Sequence, residues 1–558
     1  MSVILPDLLP SELRRAWAVE GTCPDLDIYS LYRAHRVADP HRIAVIDAEG
    51  QICYAALDRQ VRCLAAGLAK LGVRAGDVVG IQLPNGRHAV IADLALAALG
   101  AVALPFPVGR GGLEAASLLR RSEAVAVIAA VAYRSNTHAA DLVDRRAELP
   151  LLRAVIAAGD APPGSIGLAA LLRTDPGDLV PARPDPDSAA RILVSSGSEA
   201  EPKMVAYSHN ALAGGRGNFL ASLMPGGRPP RCLFLVPLAS AFGSNGTAVA
   251  LARHGGTLVL LDHFTPQSAL EALASHVPTH VLGVPTMVRM ILDRLAENPG
   301  TELSPPTALV VGGSPLDQAT AAEARDVFGC PVVNLYGSAD GVNCHTGLAE
   351  PGAGSEDKGT LAGRPDPRVA DIRITVPGTE PLVYVSPGAV GEIVARGPMT
   401  PLCYVAAPDL DARYRTDGGW VRTGDLGVIG EDGALRVVGR LKDVIVRGGA
   451  NISPAEVELE LAAHPRVRDV VCVGVADALM GERLAACVVP REDTAPTLRD
   501  LCDHLDARGL ERRKHPEHLL TLSALPLTPA GKPDRTALRE QFADQPQSVP
   551  GPLPASPR

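Results

Sequence analysis

The sequence predicts an α/β protein. A large N-terminal domain, with parallel and mixed sheets flanked by helices and a β-rich subdomain, precedes a small α+β domain. Apolar residues at helical spacing over 54–75 are followed by the strand-like run VVGIQLPN and by a helix that leads into a short strand at ALPFP. The same alternation repeats over 231–337, from RCLFLVPLA to PVVNLYG. Because strands that alternate with helices pair in parallel, both stretches predict parallel sheet.

Two further stretches complete the predicted architecture. VADIRITVPG, GEIVARGP and ALRVVGR form the β-rich region. Past Lys442 the chain restarts with a helix over 454–463, two strands and a helix over 497–508, which suits a compact domain of about 100 residues. We therefore expect an N-terminal domain over 1–441, a C-terminal domain over 442–541 and a disordered tail, rich in Pro and Ser, over 542–558.

The helix at 454 carries a specific start signal. Ser453 is a good N-cap residue, Pro454 suits the first helical position, and Glu456 stands three residues after Ser453. We expect a capping box, in which the Ser453 and Glu456 side chains bind backbone N–H groups of the first turn.

Composition and charge exclude several classes of function. The 558 residues carry a net charge of −9, which argues against a general nucleic-acid or membrane-surface binder, since both need a concentrated positive field. No uncharged apolar run of ~18 residues and no secretory signal is apparent, so we expect a cytoplasmic protein. The ten cysteines lack paired metal spacing and predict reduced, buried thiols.

A polar segment that contains glycine follows the predicted strand at ILV. Ser195, Ser196, Gly197 and Ser198 offer hydroxyls and backbone N–H groups that can surround phosphate oxygens, and Lys203 adds a point charge. The segment does not match the pattern G-x-x-x-x-G-K-(S/T). Taken alone, it could equally be an ordinary solvated loop.

Two strand ends carry residues suited to a nucleotide. Gly312-Gly313-Ser314 follows ALVV, where glycines let a planar ring approach the backbone at the carboxyl edge of a parallel sheet. Tyr336-Gly337 and Asp340 follow VVNL and combine a ring that can stack on a base with a carboxylate that can hold Mg²⁺. Ordinary turns are the alternative at both places.

Three charged residues lie towards the C-terminus. Asp425, in Thr423-Gly424-Asp425, can accept both ribose hydroxyls, because a carboxylate has two oxygens. Arg440 can join it or be a surface cation. Lys532 lies in LTPAGKPD, where an isolated lysine is usually a solvated charge.

The order of these segments resembles the acyl-adenylate-forming superfamily, which includes acyl-CoA synthetases, firefly luciferase and adenylation domains of nonribosomal peptide synthetases. The family loop (S/T)-S-G-(S/T)-T-G-x-P-K is similar to Ser195–Lys203, Y-G-x-(T/A)-E to Tyr336–Asp340 and T-G-D to Thr423–Asp425. G-R-x-(K/D)-(D/E) and P-x-G-K match Gly439–Asp443 and Pro529–Lys532. YGSADGVNCHTGLAEP and PLASAFGSNG further resemble segments of stand-alone aryl-acid adenylating enzymes.

The resemblance implies ATP and Mg²⁺ as cofactors and a reaction in two halves. A carboxylate attacks the α-phosphate to give acyl-AMP and pyrophosphate. A mobile C-terminal domain, hinged at Lys442, then rotates, and a thiol of CoA or of a separate acyl- or aryl-carrier protein takes the acyl group. The implied roles are Lys532 for catalysis; Ser195, Ser196, Gly197, Ser198 and Lys203 for the phosphates; Gly313, Ser314, Tyr336, Gly337, Asp425 and Arg440 for adenosine; and Asp340 for Mg²⁺.

The resemblance also implies a pocket for the acid, lined mainly by small and apolar residues: Ala241, Phe242, Ser244, Asn245, Gly283, Val284, Gly312 and Cys344. Such a pocket suits a flat or cyclic carboxylic acid. The segment 239–242 holds no acidic residue where amino-acid-activating relatives bind the α-amine, which disfavours an amino acid.

The sequence departs from the family pattern at several of these positions. Glu199, Ala200 and Glu201 place two carboxylates in the phosphate loop, and Asp340 is one methylene shorter than the usual Glu. Ser240 and Ala241 stand where aryl-acid relatives carry His and Asn, so dihydroxybenzoate itself is not the expected substrate.

The leading prediction is a ligase of specialised metabolism, such as antibiotic biosynthesis, that activates a small aromatic or cyclic acid. Two alternatives stay open. One is a diazotase-type ligase that adenylates nitrite for transfer to an aromatic amine. The other is a degenerate, non-catalytic binding paralogue, against which the retention of Lys203, Asp425, Arg440 and Lys532 argues.

Overall fold

The structure, a computed structural model, describes residues 3–134, 136–177, 179–195, 202–298, 302–349, 359–447, 450–477, 479–491, 494–527 and 533–543. The chain divides into two compact units. The larger reaches Val437 and the smaller begins at Val438. The predicted fold class is confirmed: the protein is a mixed α/β molecule with a large N-terminal sheet region and a smaller C-terminal one.

Two eight-stranded sheets dominate the larger unit. In the first sheet, six neighbouring strands are parallel and an antiparallel strand lies at each edge. Its strands, in spatial order, are Asn343–His345, Val332–Gly337, Ala308–Gly312, His280–Gly283, Arg231–Phe234, Thr257–Leu260, Ile43–Asp47 and Gly50–Cys53. This is the sheet that the alternation over 231–337 predicts.

The second sheet is also mainly parallel, with two antiparallel strands at one edge. Its strands, in spatial order, are Cys403–Tyr404, Met204–Ser208, Ala189–Val194, Val102–Pro105, Val78–Gln82, Ala126–Ala130, Ala154–Ala158 and Ile166–Gly167. Ala189–Val194 leads directly into Ser195, so the predicted phosphate loop starts at a strand end.

The β-rich subdomain forms a five-stranded sheet. Its spatial order is Thr360–Gly363, Leu435–Arg440, Val421–Ile429, Gly391–Arg396 and Asp371–Thr375. Asp425 lies in the third of these strands. A short hairpin, Ala132–Tyr133 with Asn136–Thr137, lies apart from the three large sheets.

Helices cover the sheets and bury their apolar faces. In Tyr54–Lys70 the apolar stripe Leu57, Val61, Leu64 and Leu68 is completely buried. The α-helices of the larger unit are Ser11–Val19, Ile28–Ala38, Tyr54–Lys70, Arg87–Leu99, Gly112–Arg121, Ala139–Asp144, Leu168–Leu171, Arg216–Ser222, Pro266–His276, Pro285–Glu297, Gln318–Phe328 and Pro408–Tyr414.

One predicted helix has a wider winding than expected. TAVALARHG has helical spacing, but the chain forms a π-helix over Gly246–Arg253, and a second π-helix over Ala211–Gly215 runs into Arg216–Ser222. The two π-helices pack together. Apolar spacing does not separate π from α windings, and π-helical turns are frequent at functional sites.

The smaller unit is an α+β structure. Its sheet contains Ala450–Ile452, Ile445–Arg447, Gly481–Pro490, Val467–Asp477 and His518–Thr521, and its α-helices are Pro454–Ala462, Leu498–Ala507 and Arg535–Ala543. One apolar core includes Val457, Leu461 and Leu501 between helices and sheet, and a second forms around Leu538 on Arg535–Ala543.

The predicted capping box is wrong. Pro454 occupies the first helical turn, but Ser453 makes no capping hydrogen bond. Its hydroxyl donates to the carbonyl of Val438 at 2.6 Å, and Glu456 forms an ion pair with Lys514 at 2.7 Å. Both side chains bind residues from other parts of the chain instead of capping the helix. The local sequence does not reveal such partners.

Two other expectations concern membranes and thiols. Over the described part of the chain, no helix combines the length and the apolar character needed to cross a bilayer. The ten cysteines all lie within the described ranges, and no disulfide joins any two of them. Cys53 and Cys502 are half-buried and the others are buried, in agreement with the buried thiols that the apolar contexts predict.

Candidate functional site

The carboxyl edge of the first sheet brings Gly312, Tyr336 and their neighbours together. Gly312 pairs with Leu335 across two parallel strands, and a Cβ at Gly312 would lie 2.7 Å from the Leu335 carbonyl oxygen. Gly313 follows with φ +88°, a left-handed conformation that favours glycine. A Cβ at Gly313 would lie 3.5 Å from Val284, so two residues predicted for different roles are neighbours.

Tyr336 and Asp425 meet although they are 89 residues apart. The Tyr336 hydroxyl donates a 2.7 Å hydrogen bond to Oδ2 of Asp425. Asp425 is only 5% exposed, and its backbone N–H donates to Oγ1 of Thr423 at 3.1 Å. The T-G-D segment therefore presents an oriented, largely buried carboxylate next to the strand end that carries Tyr336.

Lys203 and Asp340 form a second pair nearby. Nζ of Lys203 lies 3.6 Å from Oδ1 of Asp340, and that oxygen accepts a 2.7 Å hydrogen bond from the Tyr404 hydroxyl. The Lys203 ammonium also lies 3.8 Å from the ring centre of Tyr414 and 5.5 Å from that of Tyr404, within cation–π range. Burial, and then the Asp340 charge, raise the pKa of Tyr404, so this phenol stays protonated and donates.

Tyr404 and Tyr414 are site residues that sequence reasoning missed. Tyr404 lies on the two-residue edge strand Cys403–Tyr404, and Tyr414 ends the helix Pro408–Tyr414. Both lie in a stretch with no marked motif. The only sequence feature that could have indicated them is the presence of two tyrosines close together in a chain whose aromatic content is 3%.

Hydrogen bonds join the described ends of the predicted phosphate loop. The Ser195 N–H donates to the Lys203 carbonyl at 2.9 Å, and the Lys203 N–H donates to Oγ of Ser195 at 3.1 Å. Arg110, another residue without a sequence signal, donates to the Ser195 carbonyl at 3.2 Å, and Arg121 donates to the Pro202 carbonyl at 3.1 Å. Ser196, Gly197, Ser198, Glu199, Ala200 and Glu201 lie outside the described residues.

The segment 237–245 folds back tightly on itself. Oγ of Ser240 donates to the Pro237 carbonyl at 2.7 Å and accepts from the Gly243 N–H at 2.9 Å. A Cβ at Gly243 would lie 1.9 Å from the same carbonyl oxygen, so only glycine fits there. Ala241 and Phe242 are half-buried, while Ser244 and Asn245 are buried.

Several buried polar atoms in or near the predicted pocket segments have no hydrogen-bond partner among the described residues. Asn245 donates from Nδ2 to the Phe242 carbonyl at 2.8 Å, but its buried Oδ1 has no partner within the described ranges. The same holds for Oγ1 of Thr247 and Oδ1 of Asn343. Buried polar atoms usually find a partner, so such atoms indicate a place for water or a ligand.

The other predicted pocket residues differ in their surroundings. Gly283 is buried, and a Cβ there would lie 3.0 Å from Leu235. Val284 precedes the helix Pro285–Glu297. Cys344 is 2% exposed and pairs with Tyr336 across the strands, and its Sγ donates to the Gly363 carbonyl at 3.4 Å.

The remaining predicted residues belong to the larger unit's surface or to the smaller unit. Gly337 is exposed and Ser314 is half-buried. Arg440, exposed, ends the strand Leu435–Arg440 within the smaller unit, and Lys442 lies in the 3-10 turn Leu441–Asp443. Lys532 lies outside the described residues. Its flanks are described: Leu527 and Pro533 form an antiparallel bridge, and the Asp534 N–H donates to the Pro526 carbonyl at 2.8 Å.

Comparisons with known proteins cover almost the whole chain. A family model described as AMP-binding enzyme matches residues 33–405, and one described as AMP-binding enzyme C-terminal domain matches 456–532. Triostin synthetase I of Streptomyces triostinicus is 34% identical over 541 residues, 96% of this chain and 97% of that protein. The salicyl-AMP ligase / salicyl-S-ArCP synthetase of Mycobacterium tuberculosis is 33% identical over 514 residues, 90% of this chain and 88% of that protein. The solved structure of the amide bond synthetase McbA from Marinactinospora thermotolerans matches with a TM-score of 0.79 and 29% identity, over 92% of this chain and 99% of that one.

Proposed function

The chain belongs to the AMP-binding enzyme family and is an ATP-dependent, AMP-forming ligase, and from this premise we propose that it activates a small aromatic or cyclic carboxylic acid as an acyl-AMP. Pyrophosphate leaves in that step, and the acyl group then passes to a thiol. The observation that carries the proposal is the meeting of four separate motif residues as two pairs, Tyr336 with Asp425 and Lys203 with Asp340.

Asp425 is proposed to hold the ribose. A carboxylate can accept hydrogen bonds from both ribose hydroxyls, and these bonds are strong because the acceptor is charged. The Tyr336 hydroxyl orients the carboxylate from one side at 2.7 Å. Gly313, Gly337 and Ser314 lie at the neighbouring strand ends, where a purine ring can approach the backbone. Arg440 is proposed to bind the ribose as well.

Lys203 and Asp340 are proposed to bind the phosphates and Mg²⁺. The charges of the two side chains offset each other at 3.6 Å. In a metal–nucleotide complex, the ammonium would face the anionic phosphates and the carboxylate would face Mg²⁺. Mg²⁺ is usually held by one or two carboxylates together with substrate phosphates, and the single carboxylate of Asp340, oriented by Tyr404, fits that donor set. When bound, the metal neutralises phosphate charge. Ser195, Ser196, Gly197 and Ser198 are proposed to donate hydrogen bonds to phosphate oxygens.

Lys532 is proposed as the catalytic lysine. An ammonium between the attacking carboxylate and the α-phosphate offsets their repulsion and stabilises the charge that develops as the new bond forms. The described residues on either side of it, Leu527 and Pro533, form an antiparallel bridge. Rotation of the smaller unit about Lys442 would then remove the lysine and admit the thiol, as in other enzymes with gated closure.

The acceptor is proposed to be CoA or a separate carrier protein. The thiol sulfur attacks the acyl carbon, AMP leaves with the bonding electrons, and the thiol proton passes to solvent. The name of the salicyl-AMP ligase / salicyl-S-ArCP synthetase, a relative 33% identical, supports a carrier-bound thiol for that relative.

ATP–pyrophosphate exchange tests the first half-reaction. We expect exchange to depend on an aromatic or alicyclic acid, and Lys532→Ala to lower it by about 10²- to 10³-fold, the usual cost of losing one transition-state donor. Lys70→Ala, which changes an exposed lysine at a helix end, is the matched control. Unchanged exchange in Lys532→Ala would overturn the lysine assignment.

The same assay separates the alternatives. Pyrophosphate release that requires nitrite and an aromatic amine, and no carboxylic acid, would replace the proposal with the diazotase-type reaction. Binding of ATP without exchange for any acid or for nitrite would support a non-catalytic paralogue.

A further inference from the structure

Arg216 is a buried cation that has no carboxylate partner among the described residues. It begins the helix Arg216–Ser222 and is 4% exposed. The other buried arginines of the described chain each pair with a carboxylate at 2.5–3.1 Å; they are Arg14, Arg191, Arg422 and Arg436. Arg216 is therefore the exception among the buried arginines that the structure describes.

Over the described ranges, the hydrogen-bond partners of Arg216 are all neutral. Nη1 donates to the Ala241 carbonyl at 2.8 Å and to Oγ of Ser244 at 2.9 Å, and Nη2 donates to the Tyr207 hydroxyl at 3.3 Å. The guanidinium carbon lies 4.9 Å from the Tyr207 ring centre. The buried Nε has no partner within the described ranges.

Neutral partners satisfy donors but do not cancel the charge. A guanidinium stays protonated when buried, and burying a charge without a counter-charge costs free energy that hydrogen bonds and a ring face recover only in part. A guanidinium carries five N–H groups, and the three hydrogen bonds above use three of them. A buried arginine with N–H donors left over is thus suited to an anion that arrives from outside the protein.

Arg216 has contacts towards two of the predicted site segments. Ala241 and Ser244 belong to the predicted acid pocket. Tyr207, under the guanidinium, donates to the Ala339 carbonyl at 2.9 Å, next to Asp340. Arg216 therefore connects the pocket segment with the turn that carries the proposed metal ligand.

We propose that Arg216 binds a second anionic group on the acid, most simply a second carboxylate. This inference rests on the proposed function and names its substrate class: an aromatic or cyclic acid with one carboxylate for adenylation and another anionic group for Arg216. A guanidinium binds a carboxylate through parallel N–H donors, which selects both charge and direction.

Matched acids in ATP–pyrophosphate exchange test this class. Benzoate is compared with the three benzenedicarboxylates, and cyclohexanecarboxylate with the cyclohexanedicarboxylates. We expect the best diacid to exceed its monoacid at least tenfold in kcat/KM. Arg216→Met, which keeps the length and removes the charge, should lower this ratio at least tenfold, mainly by raising KM for the diacid. Arg216→Lys should recover part of it, and Arg228→Met, at an exposed arginine, should leave the ratio unchanged.

A measurement on the unaltered enzyme keeps the test independent of variant folding. Aminomethylbenzoate adds a positive charge instead of a negative one, and we expect it to be used at least tenfold less well than benzoate, because like charges would meet.

The outcomes separate the two proposals. Three results would overturn the second-anion inference and leave the ligase in place. They are a higher kcat/KM for the monoacid than for the diacid, a kcat/KM for aminomethylbenzoate equal to that for benzoate, and an equal loss of kcat/KM for monoacid and diacid in Arg216→Met. If none of the acids supported ATP–pyrophosphate exchange, the proposed function would be overturned and this inference with it.

Discussion

At the scale of single residues, two phenols hold the two carboxylates of the candidate site. Tyr336 donates to Asp425 and Tyr404 donates to Asp340, both at 2.7 Å. Such bonds to a charged acceptor are short and directional, so each carboxylate presents its lone pairs in one orientation before any ligand arrives. Binding then costs less ordering of side chains.

The Tyr336–Asp425 bond gives a first prediction. Tyr336→Phe should raise KM for ATP about tenfold with kcat changed less than about threefold, because a hydrogen bond to a charged group contributes about 1.5 kcal/mol. Asp425→Asn should have a larger effect. Steady-state exchange kinetics at varied ATP measure both. Tyr384→Phe, at a tyrosine 47% exposed, is the control, and equal KM values in the two Tyr→Phe variants would contradict the ribose assignment.

Tyr404 gives a second prediction, about the metal. Without its hydroxyl, Asp340 loses the donor that orients Oδ1. Tyr404→Phe should therefore raise the Mg²⁺ concentration for half-maximal exchange about three- to tenfold while the free energy of unfolding changes by about 1 kcal/mol. Titration of activity with Mg²⁺ at saturating ATP measures this. A normal Mg²⁺ dependence together with lost stability would assign Tyr404 a purely structural role.

At the scale of elements, the pocket segment owes its shape to close backbone approach. The Gly243 Cα lies against the Pro237 carbonyl, and Ser240 bridges the same two residues. The π-helix Gly246–Arg253 follows at once. The run of small residues therefore has a reason in the folding of the backbone, apart from the predicted pocket.

Gly243→Ala gives a third prediction. A Cβ placed 1.9 Å from the Pro237 oxygen must displace the segment. We expect a loss of about 3 kcal/mol in the free energy of unfolding, or a displaced segment with a higher KM for the acid. Denaturant unfolding and exchange kinetics measure the two. Gly109→Ala, where a Cβ would meet nothing within 4 Å, is the control. Wild-type stability and wild-type KM together would contradict the geometry.

The elements also show how far sequence reasoning reaches. The strand His280–Gly283, the helix Pro266–His276 and the long pair Val467–Asp477 with Gly481–Pro490 follow from apolar periodicity alone. The capping box at Ser453 failed because the hydroxyl found a carbonyl from a different element. Periodicity depends on the local chain, whereas side-chain partners depend on which elements meet.

At the scale of the whole molecule, buried histidines link stability to pH. Burial lowers the pKa of His209 and of His254 to about 4. Nδ1 of His209 is positioned to accept from the Ile28 N–H at 3.2 Å, and Nε2 of His254 lies 2.8 Å from the Gly217 carbonyl. The folded larger unit therefore holds both rings neutral.

The fourth prediction concerns acid. Unfolded histidine binds a proton near pH 6.5, whereas these two take one in the folded state only near pH 4. Above pH 6.5 they make no pH-dependent contribution. As the pH falls below 6.5, the unfolded state binds protons that the folded state does not bind. The free energy of unfolding should therefore decrease, by up to about 3 kcal/mol per histidine at pH 4.

Urea unfolding of the full chain at pH 7.5, 6.5 and 5.5 measures this dependence. His254→Gln removes one of the two groups and should reduce the decrease between pH 6.5 and 5.5. His88→Gln, at a histidine whose side chain is 38% exposed, should not. A pH dependence that is identical in all three proteins would show that these rings do not control it.

The fold class, the parallel sheets and the family follow from the sequence alone, because apolar periods and ordered motifs are properties of consecutive residues. The same motifs single out Asp425, Tyr336, Lys203 and Asp340. The pairing of these four residues and the contribution of Tyr404 and Tyr414 to the pairs come from the tertiary fold. So does the burial of Arg216 with no carboxylate beside it in the described part of the chain. These features arise where segments far apart in the chain come into contact. Residue spacing and composition are local properties and do not show which distant segments meet.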